Sequence, residues 1–413
     1  MRIGRTLPPA AAILGWRDLR HAVAAMWSRD RALRLREDEI RKYFGVPYAC
    51  LVSSGTAALT LALIALRDLS ERTDVIIPAF TCYSVPAAVL TAGLRPVLCD
   101  IEPATFDFDH AQLEQTLTDN TLCVVAHHLF GVPSDIERLR AMCHSRGIFL
   151  VEDAAQAMGI EADGGYLGTR ADVGIFSLGR GKNVTSGSGG VIVARRDAIA
   201  QALDRRCSCL EHPSRFHVLA ELVRLAVMAA FIRPNLYWLP ASLPFLRLGE
   251  TIFPGDVVLQ RLSAMQAGLL HSWRERLAES NHIRSENAAD FSRRLSLRPP
   301  RGHRHPYLRL PVLAATPASR TRIFDMSRRQ GLGMSVGYPA TINQVPQLRG
   351  YFDTGRFPGA AKLAEQLLTI PTHNWVEERD RVAIANCFAT TTRDLPPTRL
   401  ERTGSTLEAA HHG

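Results

Sequence analysis

The sequence predicts an α/β fold, with a mostly parallel sheet in a large domain and a smaller α+β domain after it. Short runs rich in β-branched residues alternate with helical patterns over the first part of the chain. This alternation is typical of a parallel sheet with helices on both faces. After about residue 262 the pattern changes to long helical stretches with few strands. At 413 residues the chain is long enough for two sizeable domains.

Six segments have the composition of buried strands, and three others have helical periodicity. The predicted strands are DVIIPAF, RPVLCDI, LCVVAHHLF, GIFLVED, VGIFSL and GVIVARR, and the predicted helices are TAALTLALIALRDL, SVPAAVLTAG and IERLRAMCHSRG. Later in the chain, 262–295 and 358–369 are predicted to be helical and YLRLPVL to be a strand. We expect an N-terminal segment 1–45, a large domain 46–261, a small domain 262–395 and a disordered tail 396–413.

The composition is that of a folded globular protein, with 46% hydrophobic and 22% charged residues. A net charge of +9 and a pI near 9.4 indicate an anionic partner. The arginines are spread along the chain and form no long block, so nucleic acid is not predicted. The first sixteen residues lack the long apolar core of a signal peptide, so we expect a cytoplasmic protein.

Eight cysteines lie mostly inside apolar runs without paired spacing, which predicts reduced, buried thiols. Cys207, Cys209 and His212 lie close together in the sequence. A second pair of ligands at zinc-finger spacing is missing, so no metal site is predicted.

Lysine is scarce in this chain. Of 49 basic residues, only Lys42, Lys182 and Lys362 are lysine. Lys182 lies in the glycine- and serine-rich segment FSLGRGKNVTSGSGGVIV, between two apolar runs. An amine can lose its proton and form a Schiff base, whereas arginine stays charged. A lone lysine in such a loop can also be a solvated surface charge, so the segment alone leaves both interpretations open.

Three segments fall at predicted strand ends, where an open α/β sheet binds its ligands. In LVSSGTAALTLALIAL a helix begins near Thr56, and its free N–H groups could bind phosphate, while Ser54 could be a simple N-cap. In FLVEDAAQAMG, Asp153 could pair with a protonated ring nitrogen or, with Gln156, cap a helix. Ser177 ends the strand before the lysine loop. A phosphate cradle, a carboxylate and an amine together form the residue set of a pyridoxal phosphate (PLP) site.

The order and spacing of seven motifs resemble the DegT/StrS family of PLP-dependent sugar-nucleotide aminotransferases, over nearly the whole chain. These motifs are YFGVPYACLVSSGTAAL, DVIIPAFTCYSVPAAVLTAGLRPVLCDIEPATFDFD, HLFGVPSDIERL, VEDAAQAMG, GIFSLGRGKNVTSGSGG, MQAGLL and FPGAAKLAEQLLTIPTH. The resemblance implies the aspartate aminotransferase fold (fold type I), pyridoxal 5'-phosphate as the cofactor, and a homodimer with the active site at the subunit interface.

The resemblance also implies roles for the matching residues. Lys182 would bind PLP covalently and move a proton during amino transfer. Asp153 would pair with the pyridine nitrogen, and Gln156 would lie near the phenolic oxygen. The residues expected to hold the phosphate are Gly55, Thr56, Ala57 and Ser177, and the candidate substrate contacts are Arg180 and Tyr83.

Three positions depart from the family pattern. Cys82 stands where the family commonly has an aromatic residue stacked on the cofactor, and Tyr83 or Phe80 could replace it. Ser188 stands where an acidic residue is common, and Leu259 where an asparagine of the partner subunit is expected. These departures indicate a divergent branch, whose substrate could differ from the usual nucleotide-linked 4-keto-6-deoxy sugar.

The family resemblance does not explain residues 216–246, an apolar insertion. Three prolines together with Arg224 and Arg233 interrupt it, so it contains no run of about 20 apolar residues that could span a bilayer. We expect the insertion to pack on the chain's own body or on a dimer partner, or to lie at the inner face of a membrane.

The sequence therefore predicts a PLP-dependent aminotransferase. It would transfer an amino group, expected from glutamate, to a nucleotide-activated keto sugar in polysaccharide or glycoside biosynthesis. One alternative is a catalytically silent PLP-fold regulator or scaffold, which the departures at Cys82 and Leu259 favour. A PLP-dependent sugar dehydratase is disfavoured, because relatives of that kind have histidine in place of the lysine. A dinucleotide-dependent oxidoreductase is disfavoured because GSGG precedes a strand rather than a helix.

Overall fold

The computed structural model describes residues 4–12, 14–28, 30–243, 252–352 and 355–392 of the chain. The predicted tail 396–413 and the last part of the insertion, 244–246, lie outside these residues. The helices are α1 (Trp16–Ala25), α2 (Asp30–Phe44), α3 (Gly55–Arg67), α4 (Ser84–Thr91), α5 (His110–Thr116), α6 (Ile136–His144), α7 (Asp197–Ser208), α8 (Arg215–Phe231), α9 (Pro234–Ala241), α10 (Ala264–Leu269), α11 (Trp273–Arg294), α12 (Pro317–Gln330), α13 (Pro358–Gln366) and α14 (Glu378–Thr392). The strands are β1 (Tyr48–Val52), β2 (Asp74–Pro78), β3 (Arg95–Cys99), β4 (Ile101–Glu102), β5 (Asp107–Phe108), β6 (Thr121–His127), β7 (Phe149–Asp153), β8 (Glu161–Ala162), β9 (Gly165–Tyr166), β10 (Val173–Ser177), β11 (Gly190–Ala194), β12 (Arg309–Leu313) and β13 (Leu367–Pro371).

A seven-stranded sheet forms the centre of the first half of the chain. Its strand order is β1, β11, β10, β7, β6, β2, β3. Strand β11 is antiparallel to β1 and β10, and the other neighbouring pairs are parallel. The predicted α/β fold with a mostly parallel sheet is therefore confirmed. Strands β2 and β6 are buried along their whole length, as expected for strands covered on both faces.

Six strands of this sheet, all except β11, run in the same direction and end at one edge. Helix α3 begins immediately beyond β1, because Ser54 is extended and its hydroxyl accepts the N–H of Ala57 at 3.0 Å. The edge thus combines a helix N-terminus with the ends of several strands. Open α/β sheets bind their ligands at such an edge.

The second half of the chain differs from the prediction at two places. The predicted helix 358–369 ends at Gln366, because Leu367 to Pro371 form β13 and pair antiparallel with β12. The predicted helix 262–295 consists of α10 and α11, since the chain leaves helical geometry at Leu270 and Ser272. In the first case the buried pairing with β12 overrides the helical propensity of the preceding residues.

The insertion forms α8 and α9. One side of α8 packs on the body of the protein, where Leu225 joins a buried cluster with Ala22, Met265 and Leu269. A Cβ atom on Gly187 of the lysine loop would overlap the Leu225 side chain, so α8 also lies directly against that loop. None of the helices within the described ranges is long and apolar enough to cross a membrane.

Candidate active site

A cavity of about 230 Å³ opens at the carboxyl edge of the seven-stranded sheet. Its walls come from the residues that follow β1, β2, β6, β7 and β10, from the loop before β11, and from one segment of the second half of the chain. The polar and cysteine side chains and the glycines that line it are Ser54, Gly55, Thr56, Thr81, Cys82, Ser84, His127, His128, Asp153, Gln156, Ser177, Gly179, Lys182, Ser188, Gly189 and Tyr338. Six of the nine predicted site residues are among them.

The N-terminus of α3 and the end of β10 meet at one side of the cavity. A Cβ atom on Gly55 would lie 2.9 Å from the Cβ and 3.0 Å from the Oγ of Ser177, so only glycine allows this approach. Thr56 lines the cavity beside them. A helix N-terminus with neighbouring hydroxyls is a ready site for a phosphate group.

Ala57, which was predicted to hold the same phosphate, is placed differently. It is fully buried, it does not line the cavity, and its N–H donates to the Ser54 hydroxyl at 3.0 Å. This hydrogen bond is the one expected if Ser54 is the N-cap of α3. The backbone of Gly55 and Thr56 remains at the cavity wall.

Asp153 ends β7 and faces the same cavity from the centre of the sheet. Its Oδ1 accepts the N–H of Ala155 at 3.0 Å. Burial raises the pKa of the Asp153 carboxyl, while the Ala155 N–H and the charge of Lys182 act in the opposite direction. A carboxylate in this position gains stability when a cationic group enters the cavity.

Lys182 lies in a loop that its own hydrogen bonds hold in shape. Thr185 Oγ1 donates to the carbonyl of Leu178 at 3.0 Å and accepts the N–H of Gly187 at 2.9 Å. Gly181 and Gly187 have φ angles of 77° and 88°, in the left-handed region that favours glycine. The glycines of this segment therefore shape the loop that presents the amine of Lys182 to the cavity.

Arg180 and Tyr83 were predicted to face the substrate, and neither lines the cavity. Arg180 is exposed to solvent. Tyr83 is buried, with its hydroxyl 3.5 Å from the carbonyl oxygen of Ala340. Within one copy of the chain, neither residue therefore forms part of the wall of this cavity.

Tyr338 is the aromatic residue that lines the cavity, and no strand-end pattern in the sequence indicated it. Gln156 Nε2 donates to its hydroxyl at 2.9 Å, and Cys82 lines the same cavity. Phe80 and Tyr83 were the two proposed replacements for the missing aromatic residue. Both pack against Tyr338, and their ring centroids lie 5.4 and 6.3 Å from that of Tyr338. Burial raises the pKa of the Tyr338 phenol, which keeps it neutral.

Two adjacent histidines at the end of β6 also line the cavity, and the sequence analysis did not select them. His127 Nε2 donates to the carbonyl of Phe106 at 3.0 Å, and its Nδ1 lies 3.3 Å from the hydroxyl of Thr81. Burial lowers the pKa of His127 to about 4, so the ring is neutral at pH 7. A neutral ring with Nε2 protonated accepts the hydrogen of Thr81 through Nδ1.

His128 is fixed by a buried carboxylate. Its Nε2 donates to Glu152 at 2.9 Å, and its Nδ1 accepts the N–H of Ser134 at 3.2 Å. Burial alone would raise the pKa of Glu152, but hydrogen bonds from His128 and from the N–H groups of Gly168 and Ala171 lower it overall. The ring of His128 therefore has one orientation at the cavity wall.

Ser188 and Gln266 connect this cavity to a second one. Gln266 Nε2 donates to the Ser188 hydroxyl at 2.8 Å. The second cavity, of about 290 Å³, shares Ser54, Thr56 and Ser188 with the first and extends to α8. Leu259 packs against the core and lines neither cavity.

The weak metal candidate of the sequence does not form a ligand cluster. Cys207 is buried, Cys209 is exposed, and His212 lies 3.4 Å from Asp30. Across the part of the chain that the structure describes, no group of three or more histidine, cysteine, aspartate or glutamate side chains could hold a metal ion.

Comparison with solved structures defines the class of fold. The sugar aminotransferase CalS13 from Micromonospora echinospora superposes with a TM-score of 0.74, at 23% identity, over 93% of this chain and 99% of the other. PseC of Helicobacter pylori, an aminotransferase of pseudaminic acid biosynthesis, gives a TM-score of 0.76 at 18% identity, over 95% and 100% of the two chains. The chain therefore has the fold of the PLP-dependent sugar aminotransferases.

Sequence comparison gives the family. The family model described as the DegT/DnrJ/EryC1/StrS aminotransferase family matches residues 20–223. GDP-perosamine synthase of Escherichia coli O157:H7 is 35% identical over 166 residues, 40% of this chain and 45% of that enzyme, so the chain matches about half the length of this relative. UDP-N-acetyl-3-dehydro-alpha-D-glucosamine 3-aminotransferase of Acidithiobacillus ferrooxidans is 27% identical over 94% of this chain and 92% of its own. Residues 20–223, about half of the chain, are therefore similar to the DegT/DnrJ/EryC1/StrS aminotransferase family.

Proposed function

We propose that the protein is a PLP-dependent aminotransferase that acts on a keto sugar. The observation that carries this proposal is the convergence of Lys182, Asp153 and the N-terminus of α3 on one cavity at the carboxyl edge of the sheet. The match of residues 20–223 to the aminotransferase family model and the names of the similar enzymes support the same reaction.

The residues of the cavity fit pyridoxal 5'-phosphate. Gly55 has no side chain where a Cβ would meet Ser177, which leaves the helix N-terminus and the Ser177 hydroxyl together as a phosphate cradle. Asp153 supplies a half-buried carboxylate for a protonated ring nitrogen, and Lys182 supplies the amine. When bound there, PLP supplies a reactive carbonyl carbon and a ring that accepts electron density.

Three side chains of the cavity have further proposed roles in the reaction. Lys182 binds the cofactor and afterwards serves as the base that moves a proton at the substrate carbon carrying the nitrogen. Asp153 would hold a proton on the ring nitrogen, since its carboxylate is stabilised by a cationic partner at this position. Gln156 donates to Tyr338, which orders this part of the cavity wall.

The second cavity gives room for a substrate larger than a single sugar. It is continuous with the first at Ser54, Thr56 and Ser188, and His217 and Glu221 of α8 line its far side. We propose that the reacting sugar lies near Lys182 and that a nucleotide attached to it extends into this second cavity. Glutamate is the proposed amino donor, and the product would serve polysaccharide or glycoside biosynthesis.

We further propose a homodimer. Trp16, the first residue of α1, and Trp27, two residues beyond its end, are each 78% exposed. Exposed aromatic residues of this size are typical of subunit interfaces. A partner subunit would cover them and close the open side of the cavity.

The exposed side of α8 is a separate apolar surface, which we propose as a contact with the inner face of a membrane. Phe216 is 83% exposed, and Leu219, Val223 and Val227 continue the same stripe along the helix. The exposed Arg215, Arg224 and Arg233 flank this stripe and could pair with lipid phosphates.

The decisive experiment is an assay of the purified protein with glutamate and a panel of nucleotide-linked keto sugars, with the products identified by mass spectrometry. The expected product is an amino sugar, formed with the release of 2-oxoglutarate. A product that has lost water without gaining nitrogen would indicate a dehydratase. If the protein binds PLP and converts no sugar of the panel with any of several amino donors, the regulator or scaffold alternative is favoured instead.

A further inference from the structure

Two buried cysteines outside the candidate active site, Cys50 and Cys207, line one cavity together with Tyr48. Cys50 lies on β1 and Cys207 on α7, and each is 1% exposed. The Cys50 thiol and the Tyr48 hydroxyl both lower the pKa of the Cys207 thiol, as hydrogen-bond donors to its sulfur do. The two thiols of this cavity are therefore the candidates for a disulfide.

The guanidinium of Arg261 completes this cluster. Its Nη1 donates to the sulfur of Cys50 at 2.9 Å, and its Nη2 donates to Glu37 at 2.7 Å. The backbone of Arg261 bridges that of Val52, which fixes the side chain over β1. A thiolate formed in the pair would thus accept hydrogen bonds and face a positive charge, as reactive cysteines do.

A second pair of buried cysteines lacks this environment. Hydrogen bonding from Cys50 lowers the pKa of the Cys207 thiol, although burial and the Glu37 carboxylate act against it. In contrast, burial raises the pKa of both Cys123 and Cys143, that of Cys143 to about 12. The protein therefore contains a matched control for the reactivity of a buried thiol pair.

A small reagent can reach the first pair. A cavity of about 350 Å³ is lined by Cys50 and Cys207 and by polar side chains that include Tyr48, Asp204 and Arg261. Its polar lining suits a small hydrogen-bonding molecule.

We propose that Cys207 and Cys50 form a reversible disulfide when hydrogen peroxide enters this cavity. The Cys207 thiolate attacks one peroxide oxygen, the O–O bond breaks, and the departing hydroxide takes up a proton to become water. The Cys50 thiol then attacks the sulfur of the Cys207 sulfenic acid, an S–S bond forms, and a second water leaves. Two thiols are oxidised by two electrons, the peroxide is reduced to two waters, and a dithiol reductant reverses the change.

The disulfide would form close to the candidate phosphate cradle. Strand β1 continues from Cys50 to Val52, and only Ser53 and Ser54 separate it from the start of α3. The segment that carries Arg261 also holds Ser53, whose N–H donates to Gln260 at 2.9 Å and whose hydroxyl donates to Val258 at 2.7 Å. The site is nevertheless separate from the cavity of Lys182, so its oxidation can be measured without any assay of enzyme activity.

The test is peptide mapping of the full-length wild-type protein after treatment with a small excess of hydrogen peroxide. Trypsin should release Cys50 in residues 43–67 and Cys207 in residues 207–215, and the second peptide also contains Cys209. We expect a disulfide to join the two peptides at Cys207 rather than at Cys209, and fragmentation of the linked peptides distinguishes these two positions. Dithiothreitol should separate the peptides. Cys123 and Cys143 should stay reduced under the same conditions.

Variants separate the steps. Cys50→Ser should leave Cys207 as a sulfenic acid that dimedone captures, because the resolving thiol is gone. Cys209→Ser, which removes the exposed neighbour, should leave the cross-link unchanged. The proposal is overturned if the wild-type protein forms no link between these peptides, if the link runs through Cys209, or if Cys123 and Cys143 are oxidised as fast as Cys50 and Cys207.

Discussion

Gly55 and Ser177 approach each other so closely that a Cβ atom on Gly55 would lie 2.9 Å from the Cβ of Ser177. This contact joins the first residue of α3 to the last residue of β10, and it shapes the proposed phosphate cradle. We predict that Gly55→Ala displaces Ser177, weakens PLP binding at least tenfold and costs about 1 to 3 kcal/mol of stability through overpacking. Equilibrium dialysis against PLP and thermal unfolding measure the two effects. Gly165→Ala is the matched control, because its nearest neighbours lie at an ordinary 3.6 Å; equal loss in both variants would contradict the prediction.

Lys182 is expected to be the one lysine that catalysis requires. Lys182→Ala should abolish covalent attachment of PLP and lower turnover by about 10²-fold or more, since both the attachment point and the base are lost. Absorption spectra before and after dialysis report the attachment, and coupled detection of 2-oxoglutarate reports turnover. Lys42→Ala and Lys362→Ala, at exposed positions, should behave like the wild type. An active Lys182→Ala enzyme without added amine would contradict the assignment.

Asp153 should have opposite effects on function and on stability. Asp153→Asn cannot hold a proton on the ring nitrogen, so we expect kcat to fall by about 10²- to 10³-fold, as when one preorganised charge is removed. Burial raises the folded-state pKa of Asp153, so the folded protein binds this proton more tightly than the unfolded chain does. The free energy of unfolding of the PLP-free wild type should therefore decrease as pH rises through that pKa and the Asp153 carboxyl ionises. The PLP-free Asp153→Asn variant should accordingly unfold at a higher temperature than PLP-free wild type at pH 7.

Tyr338 provides a test of the part of the cavity wall that it forms with Gln156. Tyr338→Phe removes the hydroxyl that accepts from Gln156 Nε2 at 2.9 Å, and should cost about 1 kcal/mol. If Gln156 is near the cofactor as proposed, the absorption maximum of bound PLP should also shift. Tyr351→Phe, at a tyrosine that is 56% exposed, is the control and should change neither quantity. A stability loss without any spectral shift would limit Tyr338 to a structural role.

The sequence was most informative about functional residues that lie at the end of a strand or shortly after it. Asp153, Ser177 and Lys182 could be selected because a parallel sheet brings its carboxyl ends together, so strand-end position alone predicts proximity. Tyr338 could not be selected in this way. It comes from an irregular segment of the second half of the chain, and only the packing of the two halves brings it to Gln156.

Local patterns also failed where tertiary contacts decide the structure. Residues 367–369 continue a helical pattern in the sequence, but they form β13 and pair with β12. Strand β12 lies more than fifty residues earlier in the chain, so the local pattern could not indicate this pairing. Ala57 was expected at the phosphate, and its N–H is instead taken by Ser54, a competition that the sequence alone left open. Both differences come from a hydrogen-bond partner that local periodicity does not specify.

The exposed stripe of α8 gives the last prediction. Burial of Phe216, Leu219, Val223 and Val227 at headgroup depth would stabilise membrane contact by about 1.5 to 3 kcal/mol for each fully buried side chain. We expect wild-type protein to float with vesicles containing an anionic phospholipid at low salt, and less so at high salt, because the contribution of the flanking arginines is screened.

The double variant Leu219→Asp/Val223→Asp should stay with the soluble fraction. Val382→Asp, at a valine that is 41% exposed on α14, is the matched control and should still float. If the wild type does not float and the double variant falls from dimer to monomer in light scattering, the stripe is a subunit interface and the membrane proposal is wrong.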